Sequence, residues 1–164
     1  LKRAEYKTDM PEDIYREFMD SFQNFHQLPY FRNAATEIRN SKHSASQFIE
    51  AGARIGVGTD AASPLNTHLE AIWREMSALV DSGMTPTQVI SAATKTNAEI
   101  LGVFSNRGSL EPGKQADILV VAGNPLEDIE VLGRVALVTK GGAMWITENS
   151  KLEVEAPVNR FQDP

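Results

Sequence analysis

The chain has 164 residues, 41% of them hydrophobic and 23% charged, with a net charge of −6. That is an ordinary length and composition for one folded domain and excludes a wholly disordered chain. There is no cysteine, so disulfides, thiolate chemistry and Cys-based zinc sites are excluded. No basic stripe appears, and no apolar run reaches the ~18 residues that a membrane span needs. Neither nucleic acid nor a membrane is therefore an expected partner. The first residues, Leu1-Lys2-Arg3, lack a Met and carry no signal-peptide pattern, and the expectation is a processed or truncated chain. The cytoplasm is the favoured compartment; a signal peptide ahead of Leu1 would make the protein secreted or periplasmic instead.

The first predicted element is a helix from Thr8 to about Leu28. Pro11 suits a first turn, Asp9, Glu12 and Asp13 favour that end, and Ile14, Phe18 and Phe22 form one stripe. A short helix is predicted over Ser44–Ala51, capped by Ser44 or Ser46 and stopped by Gly52. Ala53 to Gly58 reads as a strand whose glycines suggest close backbone approach. Thr59 to Asn66 reads as a loop. Thr67 to Ser82 reads as an amphipathic helix, with Leu69, Ile72, Trp73, Met76, Leu79 and Val80 inward and Glu70, Arg74, Glu75 and Asp81 outward. Thr85-Pro86 opens the next helix, and its apolar surface runs from Val89, Ile90 and Ala93 to Ala98, Ile100 and Leu101 before Gly102. Beyond Gly102 the period becomes that of strands: Ile118–Val121, Val135–Val138 and Met144–Ile146, with Gly141-Gly142 as a hairpin turn. Glu155 to Pro164 reads as a polar tail.

The run Gly56-Val57-Gly58-Thr59-Asp60 is a strand ending in a carboxylate. At the C-terminal end of a barrel strand, such a group faces the active-site mouth and can bind a metal or take a proton. Asp at a strand end equally serves an Asx turn or caps the next helix, and the motif's own chemistry leaves both readings open.

Together, Ala51 to Ala61, Ser82-Gly83-Met84-Thr85-Pro86, Ala92-Ala93-Thr94-Lys95-Thr96-Asn97-Ala98, Gly108 to Ile118, Gly123 to Ile129 and Val138 to Gly142 resemble the amidohydrolase superfamily, and most closely its imidazolonepropionase-like and prolidase-like members. The matches run in order over about residues 44–147. The resemblance implies an α/β fold: the C-terminal portion of a (β/α)8 TIM-like barrel over residues 1–102, then part of a small composite β-sandwich over residues 103–164. It implies one or two divalent metals, usually zinc, held by a His-x-His pair on the first strand, often a carboxylated Lys, further single His residues and a final Asp. Only that Asp carries over, onto Asp60. His26, His43 and His68 match no ligand position, and no His-x-His occurs.

Catalytic zinc needs about three protein ligands plus water. The remaining ligands are therefore expected from a missing N-terminal half of the barrel, without which this chain is incomplete as an enzyme. In the intact hydrolase, Asp60 would be both metal ligand and proton acceptor in hydrolysis of a C–N bond by metal-activated water. The resemblance also places His68, after Ser63-Pro64-Leu65-Asn66, near the entrance for a small-molecule substrate. A helix-start His that faces solvent or packs locally, and Ser63 and Asn66 that only satisfy their turn, are the alternatives. Dipeptides, other carboxypeptidase substrates, lactams, imidazolones and deaminase substrates all remain open. Trp73 and Trp145 read as core aromatics. A partial barrel would leave strand edges and an apolar face uncovered, so the chain is expected to form a homo-oligomer, to swap elements or to stay bound to the missing half. The competing class is a stand-alone α/β binding or interaction module without catalysis.

Overall fold

A computed structural model describes residues 11–24, 27, 34–61 and 70–146. Helix α1 spans Glu12–Asn24, and the Tyr15 N–H donates to the Pro11 carbonyl at 2.9 Å. The predicted ends of this helix at Thr8 and Leu28 lie outside the described residues, and Ile14 of its stripe is exposed.

Helix α2 spans Ala34–Glu50, starting ten residues before the predicted Ser44. Its first ten residues have little apolar periodicity, and their helix is one of propensity and exposure rather than of a buried face. Ser46 is consequently mid-helix rather than a cap, and its Oγ donates to the Ser82 carbonyl at 2.9 Å. Gly52, at φ +69°, ends α2 as expected; the Ala53 N–H reaches back to the Phe48 carbonyl at 3.0 Å.

Helix α3, Ala71–Asp81, buries Met76 and Leu79. Its inner face differs from the amphipathic reading at three places. Ile72 is exposed, and of the residues assigned outward Glu70 is buried and Glu75 half-buried. Glu70 tolerates this because the Arg74 Nε donates to its carboxylate at 2.7 Å one turn on. Trp73 is half-buried and packs against Gly133, where a Cβ would lie 3.1 Å from the indole.

Helix α4, Pro86–Ser91, begins at the predicted Thr85-Pro86, and Gln88 completes a capping box there: the Gln88 N–H donates to the Thr85 hydroxyl, and the Gln88 side-chain oxygen accepts from the Thr85 N–H. A π-turn, Ala92–Thr96, then joins α4 to the short helix α5, Asn97–Ile100. One additional residue in a helix rotates the downstream positions by about 100°. The uninterrupted apolar surface predicted here therefore breaks: Val89, Ala92 and Ala98 are buried, whereas Ile100 and Leu101 are exposed.

The β module matches its predicted positions closely. Strands β1 (Ile118–Val121), β2 (Val135–Lys140) and β3 (Ala143–Ile146) form an antiparallel sheet in the order β1-β2-β3. Gly141 and Gly142 both take positive φ, the two-residue turn the hairpin requires. A bulge interrupts the β1–β2 register between Val120 and Val121. A 3-10 turn, Ile129–Gly133, precedes β2, with Asp128 accepting from the Glu130 N–H at its start. Its Ile129 enters the same core as Val57, Met76, Leu79, Val89 and Ala92, so one hydrophobic cluster joins the helical part to the sheet part.

At the sheet end, the Asp117 carboxylate accepts from Lys140 Nζ at 2.7 Å and from the Gly141 N–H at 2.8 Å. Those two bonds, the lysine's first, hold its pKa below the usual carboxylate value. A folded-state pKa below the unfolded one means that stability is present above the unfolded value and is lost as pH falls through the folded value. Glu75, raised by burial, acts in the opposite sense. We therefore expect Asp117→Asn to lower Tm at neutral pH, with the difference from wild type closing in acid. Thermal unfolding of both proteins across that range measures it.

Candidate functional site

Residues 53–60 make no ladder with the described strands. Strand pairing is a long-range property, and the predicted strand Ala53–Gly58 finds no β neighbour among the described residues. The segment is fixed in two other ways. The Val57 side chain is buried against Met76, Leu79, Val89 and Ala92. Its backbone is held by Asn97: the Val57 N–H donates to Asn97 Oδ1 at 3.0 Å, and Asn97 Nδ2 donates to the Val57 carbonyl at 2.8 Å. Gly56 is glycine because of this approach, since a Cβ there would lie 2.5 Å from Asn97 Oδ1. Gly58 borders open space. Arg54 adds a surface ion pair with Glu99 at 2.7 Å.

Three residues beyond Val57, Asp60 takes φ +46°, the sole non-glycine residue with positive φ among those described. Asp tolerates this left-handed region better than most residues, and such positions concentrate at functional sites. The Thr59 hydroxyl accepts from the Ala61 N–H at 3.3 Å and so braces the turn. Asp60 is exposed. It does not cap α3, whose N-cap is Glu70.

Of the other predicted site residues, Ser63, Asn66 and His68 lie outside the described residues, as does His26; His43 is exposed on α2. Among the described residues no group of three or more His, Asp or Glu stands close enough to hold a metal ion. Asp60 supplies one oxygen donor suited to a divalent ion, and the described residues alone do not complete a donor set.

Two features are not legible in the sequence. Asn97 is visible there only as part of a motif. The signal that singles it out is a short polar side chain within a helical stretch, after Thr94-Lys95-Thr96, where helix propensity is weak and side chains compete for backbone groups. The buried Glu70–Arg74 pair has the usual spacing of a surface ion pair, and nothing in that spacing distinguishes burial from exposure.

The sequence profile of the amidohydrolase family matches residues 32–144. The chain is 38% identical over 101 residues to ochratoxinase from Aspergillus niger, an alignment covering 59% of this chain and 20% of that protein. It is 32% identical over 88 residues to imidazolonepropionase from Thermoplasma acidophilum, covering 54% of this chain and 21% of that protein. Among solved structures, a Xaa-Pro dipeptidase with methionine bound in its active site superposes with a TM-score of 0.60 at 35% identity, covering 65% of this chain and 25% of that one. The chain thus spans about a fifth of the length of the curated relatives it matches.

Proposed function

Because the chain belongs to the amidohydrolase family, whose members share a TIM-barrel-type fold and are generally metal-dependent, we propose that it is the C-terminal part of a hydrolase that cleaves C–N bonds in a small-molecule amide, peptide or cyclic amide. Residues 1–102 would complete a barrel whose other strands supply the remaining metal ligands, and residues 103–164 would belong to a composite β-sandwich. The observation that carries this reading is Asp60: an exposed carboxylate in a strained turn, three residues past a backbone that core packing and Asn97 both fix.

A divalent ion, zinc by the family's habit, held by Asp60 together with ligands from the other barrel strands, would supply Lewis acidity and lower the pKa of water towards neutrality. The chain's own part is proton movement. Asp60 accepts the proton of the attacking water and returns it to the departing nitrogen, which must be protonated to leave as an amine. Ser63, Asn66 and His68 come within eight residues after Asp60 and would line the substrate entrance. The family match favours this account over a stand-alone binding module.

Metal analysis with an activity screen tests it. The enzyme carrying all barrel strands is expected to contain a divalent metal and to turn over at least one of N-acyl amino acids, Xaa-Pro dipeptides or cyclic amides. Chelation should abolish that turnover, and added zinc should restore it. The 164-residue chain alone should bind zinc weakly. Stoichiometric zinc on this chain alone, or turnover indifferent to chelation, would overturn the proposal.

A further inference from the structure

We infer that Asn97 is a positioning residue that sets the direction in which the chain delivers Asp60; the inference rests on the catalytic reading of Asp60. In a sheet, each strand is oriented by neighbours that exchange N–H and C=O bonds with it. Among the described residues Val57 has no such neighbour, and the carboxamide of Asn97 takes that place. It accepts from the Val57 N–H at 3.0 Å and donates to the Val57 carbonyl at 2.8 Å. Both peptide planes flanking Val57 are therefore fixed by one side chain. Core packing of the Val57 side chain places the residue but does not by itself orient those planes.

Two further observations show that the local structure is built around this contact. Gly56 leaves the space that Asn97 Oδ1 occupies, and any Cβ there would stand 2.5 Å from that oxygen. The π-turn Ala92–Thr96 immediately precedes Asn97 and changes the helical register at which its side chain emerges. The position of Val57 relative to Asp60 makes the contact consequential. Gly58, the next residue, has no neighbour within 4 Å of where a Cβ would be and is the most permissive joint in the segment. Val57 is thus a doubly bonded point three residues before Asp60, which lies at most ~10 Å further along the chain. Freeing the planes at Val57 would shift the turn that carries Asp60, and a displacement of about an ångström is enough to cost catalysis.

The test uses Asn97→Ala, Asp60→Asn, the double variant and Val131→Ala in the enzyme that carries the complete barrel. Asn97→Ala is expected to lower kcat by about 10- to 100-fold with KM within about threefold of wild type, and to speed amide exchange across residues 53–61. If Asn97 acts through Asp60, the double variant will be no slower than Asp60→Asn alone. Val131→Ala, a cavity at a buried position outside the cluster that holds Val57, should lower Tm while keeping kcat, which separates positioning from general destabilisation. Should Asn97→Ala fail to fold, Asn97→Asp decides the matter: it keeps the acceptor but sets a second acceptor oxygen against the Val57 carbonyl, and is expected to show a kcat loss at least as large. An unchanged kcat in the folded Asn97 variant, or losses that multiply in the double variant, would overturn the inference. A wild-type kcat in Asp60→Asn would instead remove the catalytic reading beneath it.

Discussion

Asp60→Asn in the complete enzyme is expected to lower kcat by about 10²- to 10⁴-fold, the range for loss of a positioned general acid–base group, with a much smaller change in KM. The substitution is chosen because the two readings of Asp60 respond to it differently. Asn is nearly isosteric with Asp and tolerates left-handed φ as well. Its side-chain oxygen supports an Asx turn in the same way. If Asp60 only shapes the turn that Thr59 braces through the Ala61 N–H, the asparagine would hold the same backbone at φ +46°, and turnover would stay within about twofold of wild type. If Asp60 moves a proton, its amide replacement cannot, because a carboxamide does not accept one near neutral pH. Steady-state kinetics on whichever C–N substrate the screen identifies, with matched thermal unfolding, distinguishes the two. A retained Tm with lost kcat identifies chemistry; retained kcat removes Asp60 from the reaction. The effect should fall on kcat because interactions made only in the transition state lower kcat and kcat/KM together.

The parts of the fold legible in the sequence are those decided within a few residues. Thr85-Pro86 as a helix start, Gly52 and Gly102 as helix stops, and Gly141-Gly142 between two apolar runs each carry their structural consequence locally. The illegible parts depend on partners distant in sequence. Ala53–Gly58 has the composition of a strand, yet pairing needs neighbours, and its backbone bonds go instead to a side chain forty residues later. Glu70 has the charge of a solvent-facing residue, and only its packing shows it to be buried. The π-turn is invisible to a periodicity argument that assumes one helical repeat from Pro86 to Leu101, and it moves Ile100 and Leu101 off the buried face. For the site the asymmetry is sharper. Asp60 stands out in the sequence by its resemblance to a family motif rather than by its own chemistry. Asn97 lies inside another of those motifs with no role attached, because its role exists only where α5 meets the Val57 backbone.

Gly108→Ala is expected to be the most damaging single-methyl addition among the described glycines, lowering stability by about 3 kcal/mol. Two independent costs combine there. Gly108 takes φ +97°, outside the conformations open to L residues at low energy. A Cβ would also stand 2.4 Å from the Ala98 Cβ and 3.2 Å from the Thr94 carbonyl oxygen. Neither neighbour can yield. Ala98 is buried on α5 and has no rotamer to change, and the Thr94 carbonyl is backbone in the π-turn. The entropy that Ala removes from the unfolded chain returns only about 0.4–1 kcal/mol. Gly52→Ala is the matched comparison: φ is +69°, but nothing lies within 4 Å of the new methyl, so it incurs the backbone strain of about 1–2 kcal/mol alone. Thermal unfolding should therefore show a Tm loss for Gly108→Ala at least twice that for Gly52→Ala. Equal losses would mean that backbone strain accounts for both, and that the loop after Phe104 does not press on α5 as closely as its glycine implies.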